Sequence, residues 1–101
     1  MPIGPGQPAI QFTPLGVGQA PTMSGVYVLC GTEGNYLYFG ETENLQRRLS
    51  EHLADSQDCA RLKGATLYAY ELHDTGDLRT ARQRELIEKY QSPCNVGATG
   101  T

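Results

Sequence analysis

The pattern of apolar and polar positions switches between a period of two and a period near 3.6, and the switches mark the elements. Gly25 to Cys30 (Gly-Val-Tyr-Val-Leu-Cys) is β-branched and aromatic, the composition of a strand. Gly31-Thr32-Glu33-Gly34-Asn35 has turn composition, and Tyr36 to Phe39 reads as a second strand. So short a connection allows only an antiparallel hairpin. A loop with an even number of residues, centred on Thr32-Glu33, would set Tyr27 directly opposite Tyr38 and Leu29 opposite Tyr36. Opposed residues share a face of the sheet, and a slip of one residue would separate them.

Asn44 to Asp55 follows with Leu45, Leu49 and Leu53 at helical spacing, and Thr42 or Asn44 as its N-cap. At about 100° per residue, Arg48 and His52 flank that leucine stripe, whereas Arg47 points nearly the opposite way. Gln57 to Lys63 carries a weak signal for a further helical turn. Ala65 to Leu72 is a third strand, with Leu67, Ala69 and Glu71 on one face and Thr66, Tyr68, Tyr70 and Leu72 on the other. Asp77 to Tyr90 is a second helix, with Asp77 as a candidate cap. Leu78, Ala81 and Glu85 share one of its faces, and Leu86, Ile87 and Tyr90 form a second apolar patch. Pro93 is placed to end it. The order strand, strand, helix, strand, helix predicts an α+β fold: a small, largely antiparallel three-stranded sheet flanked by helices.

The flanks differ in composition. Residues 1–24 hold five prolines and four glycines and read as an extended arm, with Ala9 to Phe12 a candidate short strand and regular structure beginning near Ser24. Residues 25–96 form the folded domain, and 97–101 a loose tail. At 101 residues, with 39% hydrophobic and 19% charged content, the chain is one small globular domain. No apolar run reaches the roughly 18 residues that span a bilayer, and the N-terminus lacks a secretory pattern, so a cytoplasmic protein is expected. Cys30, Cys59 and Cys94 include no CxxC pair and read as three reduced cysteines, Cys30 in a strand core.

A net charge of −3 runs against a phosphate-binding role. Its distribution softens the objection. All eight basic residues fall in two groups, Arg47, Arg48, Arg61 and Lys63, and Arg79, Arg82, Arg84 and Lys89. Glu41, directly after the second tyrosine triplet, would repel a phosphate unless it turns outward or serves a metal.

Gly25-Val26-Tyr27, Tyr38-Phe39-Gly40, Arg48, Glu85 and Asn95 occur in the order and at spacings that resemble the GIY-YIG nuclease family. His52 one helical turn after Arg48 resembles the phage homing-endonuclease branch. Arg84 to Asn95 resembles the family's glutamate helix with its trailing proline and asparagine. Val26 and Phe39 stand where the family has isoleucine. The resemblance implies a divalent-metal-dependent endonuclease acting on DNA, with one Mg2+ or Mn2+ held by Glu85. Arg48 would hold the scissile phosphate bidentately, and Tyr27 would act as general base or orient the water. Tyr38 would bond water or phosphate, and His52 would protonate the leaving group or contact phosphate. Asn95 would position the site or contact backbone. Glu88, the rival to Glu85, faces about 60° away from it. Tyr36, Tyr68, Tyr70 and Tyr90 have no family role and read as packing. Two alternatives stand beside this expectation. One is an inactive module of the same fold that binds nucleic acid or protein. The other is the catalytic domain of a larger nuclease, whose DNA affinity comes from a further domain or protein partner.

Overall fold

Two strands rich in β-branched and aromatic residues lie at the centre and edge of a four-stranded antiparallel sheet. The structure, a computed structural model, describes residues 9–96. Its elements are β1 (Ile10–Gln11), α1 (Pro14–Gly18), β2 (Gly25–Gly31), β3 (Tyr36–Thr42), α2 (Leu45–Ala54), α3 (Cys59–Leu62), β4 (Ala65–Leu72), α4 (Gly76–Tyr90) and α5 (Pro93–Val96). The strand order is β1-β4-β2-β3. The expected α+β class holds, but the sheet has four strands rather than three, because Ile10 and Gln11 pair with Tyr68 and Leu67.

The segment 9–24 is not an extended arm. Thr13 accepts a hydrogen bond from Gly16 N, and Pro14 opens a short helix whose Val17 is buried together with Phe12 and Ala20. Proline is compatible with the first helical turn, where the missing N–H has no partner to lose. The rest of that arm, and the expected loose tail at 97–101, lie outside the described residues.

β2 is buried at every position and carries two cores, one on each face. On one face Tyr27 and Leu29 meet Leu45 and Leu49 of α2, with Tyr68 of β4 and Cys94 of α5. On the other, Val26, Val28 and Phe39 meet Ala69 of β4 and Leu86 of α4. The leucine stripe of α2 and the alternation of β4 therefore face as expected, and Asn44 is the N-cap of α2, accepting from Arg47 N at 3.0 Å. α4 turns differently. Leu78 and Glu85 are exposed, and the inner face is Arg79, Leu86, Ile87 and Tyr90. Its cap is Thr75 rather than Asp77. It ends at Tyr90 with Gln91 in the left-handed conformation (φ 47°), two residues ahead of the proline, which instead begins α5.

The hairpin register also differs from expectation. Gly31 N and Asn35 O close a three-residue loop at 2.9 Å, with Gly34 at φ +86°. Leu37 then bulges between the pairs Cys30↔Tyr36 and Leu29↔Tyr38. Tyr27 is opposite Gly40, not Tyr38. Loop and bulge each slip the register by one, so the two shifts cancel in parity and Tyr27 and Tyr38 still share a face.

Candidate active site

Tyr27 lies at 0% exposure because its neighbour across the strand has no side chain. A Cβ on Gly40 would stand 2.3 Å from both Cζ and Oη of Tyr27, so only glycine leaves room for the ring. Tyr38 lies diagonally beside it, with ring centroids 6.1 Å apart. His52 closes a triangle, 5.6 Å from the Tyr27 ring and 5.4 Å from the Tyr38 ring. Its Nε2 is 2.7 Å from Tyr27 Oη, and its Nδ1 is 2.5 Å from Asp58 Oδ1. Burial pushes the Tyr27 phenol well above its ordinary pKa. The nearby Tyr38 adds to the rise, and the Arg48 guanidinium pulls it back. Arg48 is the arginine turned to this cluster. Its side chain is 41% exposed against 63% for Arg47, and Glu51 holds it at 3.0 Å.

Tyr27, Tyr38, Arg48 and His52 are thus brought together by the hairpin and α2. Asp58 joins them from the turn before α3. Sequence reasoning missed it, although Asp immediately before a helical turn is an N-cap signal, and Asp58 does accept from Arg61 N at 3.2 Å. Asn95 sits at the outer edge of β3. Its Oδ1 accepts from Phe39 N at 2.7 Å and its Nδ2 donates to Phe39 O at 3.0 Å, while Ser92 Oγ donates to Oδ1. Gln83 of α4 reaches the same Phe39 carbonyl at 3.2 Å.

Glu85 is drawn to an arginine of its own helix. It accepts from Arg82 at 2.7 Å on the exposed side of α4, and Arg82 in turn binds Glu71 of β4 at 2.6 Å, across the sheet from α2. Glu41 does turn away from the tyrosines: Arg79, buried at 8% exposure, donates to it at 2.9 Å on the α4 face. Glu51 is paired with Arg48, and Asp58 with His52. Among the described residues no group of three or more His, Cys, Asp or Glu could hold a metal ion. A cation held by Glu85 would meet a single carboxylate here, one already bonded to Arg82. Nor are the cysteines all reduced. Cys59 and Cys94 form a disulfide with Cα atoms 5.8 Å apart, and Cys30 alone is a free buried thiol, its pKa pushed up by burial to about 11.

A family model described as the GIY-YIG catalytic domain matches residues 23–95. The chain belongs to the GIY-YIG family. Among curated proteins none matches its sequence. Solved structures share the GIY-YIG fold. The N-terminal GIY-YIG endonuclease domain of UvrC from Thermotoga maritima, bound to its catalytic magnesium, aligns with a TM-score of 0.68 at 21% identity, over 77% of this chain and 89% of that one. An asparagine-to-alanine variant of that domain, also bound to its divalent cation, gives 0.68 at 21% identity over 77% and 88%. A tyrosine-to-phenylalanine variant gives 0.68 at 20% identity with the same coverage. Among the described residues of this GIY-YIG domain, no helix is long and apolar enough to cross a membrane.

Proposed function

We propose that this GIY-YIG domain is an endonuclease that hydrolyses phosphodiester bonds in DNA, dependent on a divalent cation, Mg2+ or Mn2+. The observation that carries the reading is the hydrogen bond of Tyr27 Oη to His52 Nε2, on the sheet face that also holds Tyr38 and Arg48. Arg48 and Tyr38 are the members open to solvent, so they meet the phosphate first. The guanidinium fork suits two phosphate oxygens and offsets charge that grows as water attacks. Tyr27 keeps its proton at neutral pH, since burial raises its pKa, so it orients the water rather than deprotonating it unaided. His52, bonded directly behind it, is the group able to accept a proton. The cation comes into this reading from the family and from the UvrC domain. Glu85, here bonded to Arg82, is the carboxylate that would hold it, and the cation would offset charge on the phosphate.

That same engagement favours a second reading, a GIY-YIG module that binds nucleic acid without cutting it. A nicking assay on supercoiled plasmid with Mg2+ or Mn2+ separates the two. The wild type should nick, and Arg48→Ala should lose at least about 100-fold, the scale of one transition-state charge contact. Glu85→Ala should also lose activity, since Glu85 is the carboxylate that would hold the cation. A loss of no more than a few-fold in Glu85→Ala would remove Glu85 as metal ligand. Absence of nicking by the wild type on plain, nicked and branched duplexes would favour the binding module.

A further inference from the structure

Asp58 divides its two oxygens between two tasks. Oδ2 accepts from Arg61 N and caps α3, while Oδ1 lies 2.5 Å from His52 Nδ1. Both side chains are sheltered, His52 at 6% exposure and Asp58 at 12%. The next residue, Cys59, is joined to Cys94 of α5, so the turn carrying Asp58 is tethered to a second element. An ionised carboxylate has only acceptors. Between an ionised Asp58 and a neutral ring the hydrogen sits on Nδ1, which leaves Nε2 bare and aimed at a phenol 2.7 Å away. The Tyr27 hydroxyl is then the donor there, with the Arg48 guanidinium near enough to hydrogen-bond its oxygen.

We propose that Asp58 is a positioning residue for His52, holding its imidazole as the Nδ1–H tautomer so that Nε2 can accept the Tyr27 proton when Tyr27 takes one from the attacking water. The proposal rests on the hydrolytic reading above. In the step, a water O–H bond breaks and its proton passes to Tyr27 Oη. The Tyr27 proton moves to His52 Nε2, and the water's electron pair forms the new bond to phosphorus. The phosphorus–oxygen bond to the leaving strand breaks, and that oxygen takes a proton from solvent. The imidazolium left on His52 faces the Asp58 carboxylate, and its proton returns to solvent after release of the product. Asp58 touches no substrate; it acts through His52 alone.

Two variants test it, because serine and asparagine are both good N-caps and keep α3 in place. Asp58→Asn retains an acceptor for Nδ1–H but no charge; Asp58→Ser is too short to reach the ring. Nitrogen-15 NMR of the imidazole reads the tautomer directly. The wild type and Asp58→Asn should show Nδ1–H with Nε2 bare, and Asp58→Ser should shift toward Nε2–H. In the nicking assay both variants should lose kcat by about 10- to 100-fold, as for other partners that orient a histidine, with KM for DNA unchanged. Melting temperatures should stay near wild type. A wild-type tautomer in Asp58→Ser, or kcat unaltered in both variants, would overturn the proposal. The tautomer measurement needs no cleavage: a wild type that shows Nδ1–H but cuts nothing refutes the hydrolytic reading and leaves the positioning role measured.

Discussion

Tyr27 shows how much a single position depends on what stands opposite it. Its ring fills the volume a side chain at residue 40 would take. Gly40→Ala should therefore displace the ring from His52 and cost about 1–3 kcal/mol of stability, as overpacking does in tight interiors. Urea denaturation gives the stability, and the loss of the Tyr27–His52 contact should appear in the His52 imidazole spectrum; an unchanged spectrum would mean that the ring has slack. The sequence made the shared face of Tyr27 and Tyr38 legible, because a face depends only on parity. It did not make their diagonal offset legible, since a three-residue loop and the bulge at Leu37 are each one residue away from the simple hairpin. Arg48 could be told from Arg47 by rotation about α2 alone. Asp58 escaped that kind of reasoning, for it meets His52 across the break after Ala54, where no periodicity runs.

Among the elements, α4 is the one whose sequence misleads. Leu78 at helical spacing from Glu85 suggests an inner face, yet Leu78 is 55% exposed and Arg79 beside it is buried. The reason lies in β3 and β4. Glu41 and Glu71 both project toward α4, and arginines at 79 and 82 answer them. A half-buried carboxylate needs a partner more than a leucine needs cover. Leu86, Ile87 and Tyr90 marked the true face at the other end of the helix. The pairing on Glu71 has a pH signature. Burial by itself would raise its pKa, but hydrogen bonds from Arg82 and His73 outweigh burial and set it below the ordinary value of 4.5. A depressed carboxylate stabilises the fold above its unfolded pKa, and that stabilisation is lost as pH falls through the folded one. Urea midpoints from pH 7 to pH 3 should fall more steeply for the wild type than for Glu71→Gln. Parallel curves would remove α4 docking from the causes of acid sensitivity.

For the molecule as a whole, the chain order announced the α+β class and Ala9 to Phe12 offered a short strand, while that strand's place in the sheet and the disulfide came from contacts distant in sequence. Cys59 and Cys94 are 35 residues apart and belong to elements of one turn each, so nothing local signalled the pair. Closing a loop of that length restricts the unfolded chain by about 4 kcal/mol in the chain-entropy account. Reduction with dithiothreitol should lower the melting temperature by on the order of 15 °C. Cys94→Ser should melt at the reduced value and ignore the reductant. A melting temperature indifferent to reductant would show that the sulfurs are not joined in solution.

Among the described residues no strand lies on the outer side of β3. Open sheet borders invite other chains to add themselves, and small proteins blunt them by several means. Here the amide of Asn95 stands against Phe39 as one peptide unit of a neighbouring strand would, giving a donor and taking one. α5 thereby acts as a fifth strand one residue long. A newcomer aligned on this border finds the central rung already occupied, and the sheet stops growing at β3.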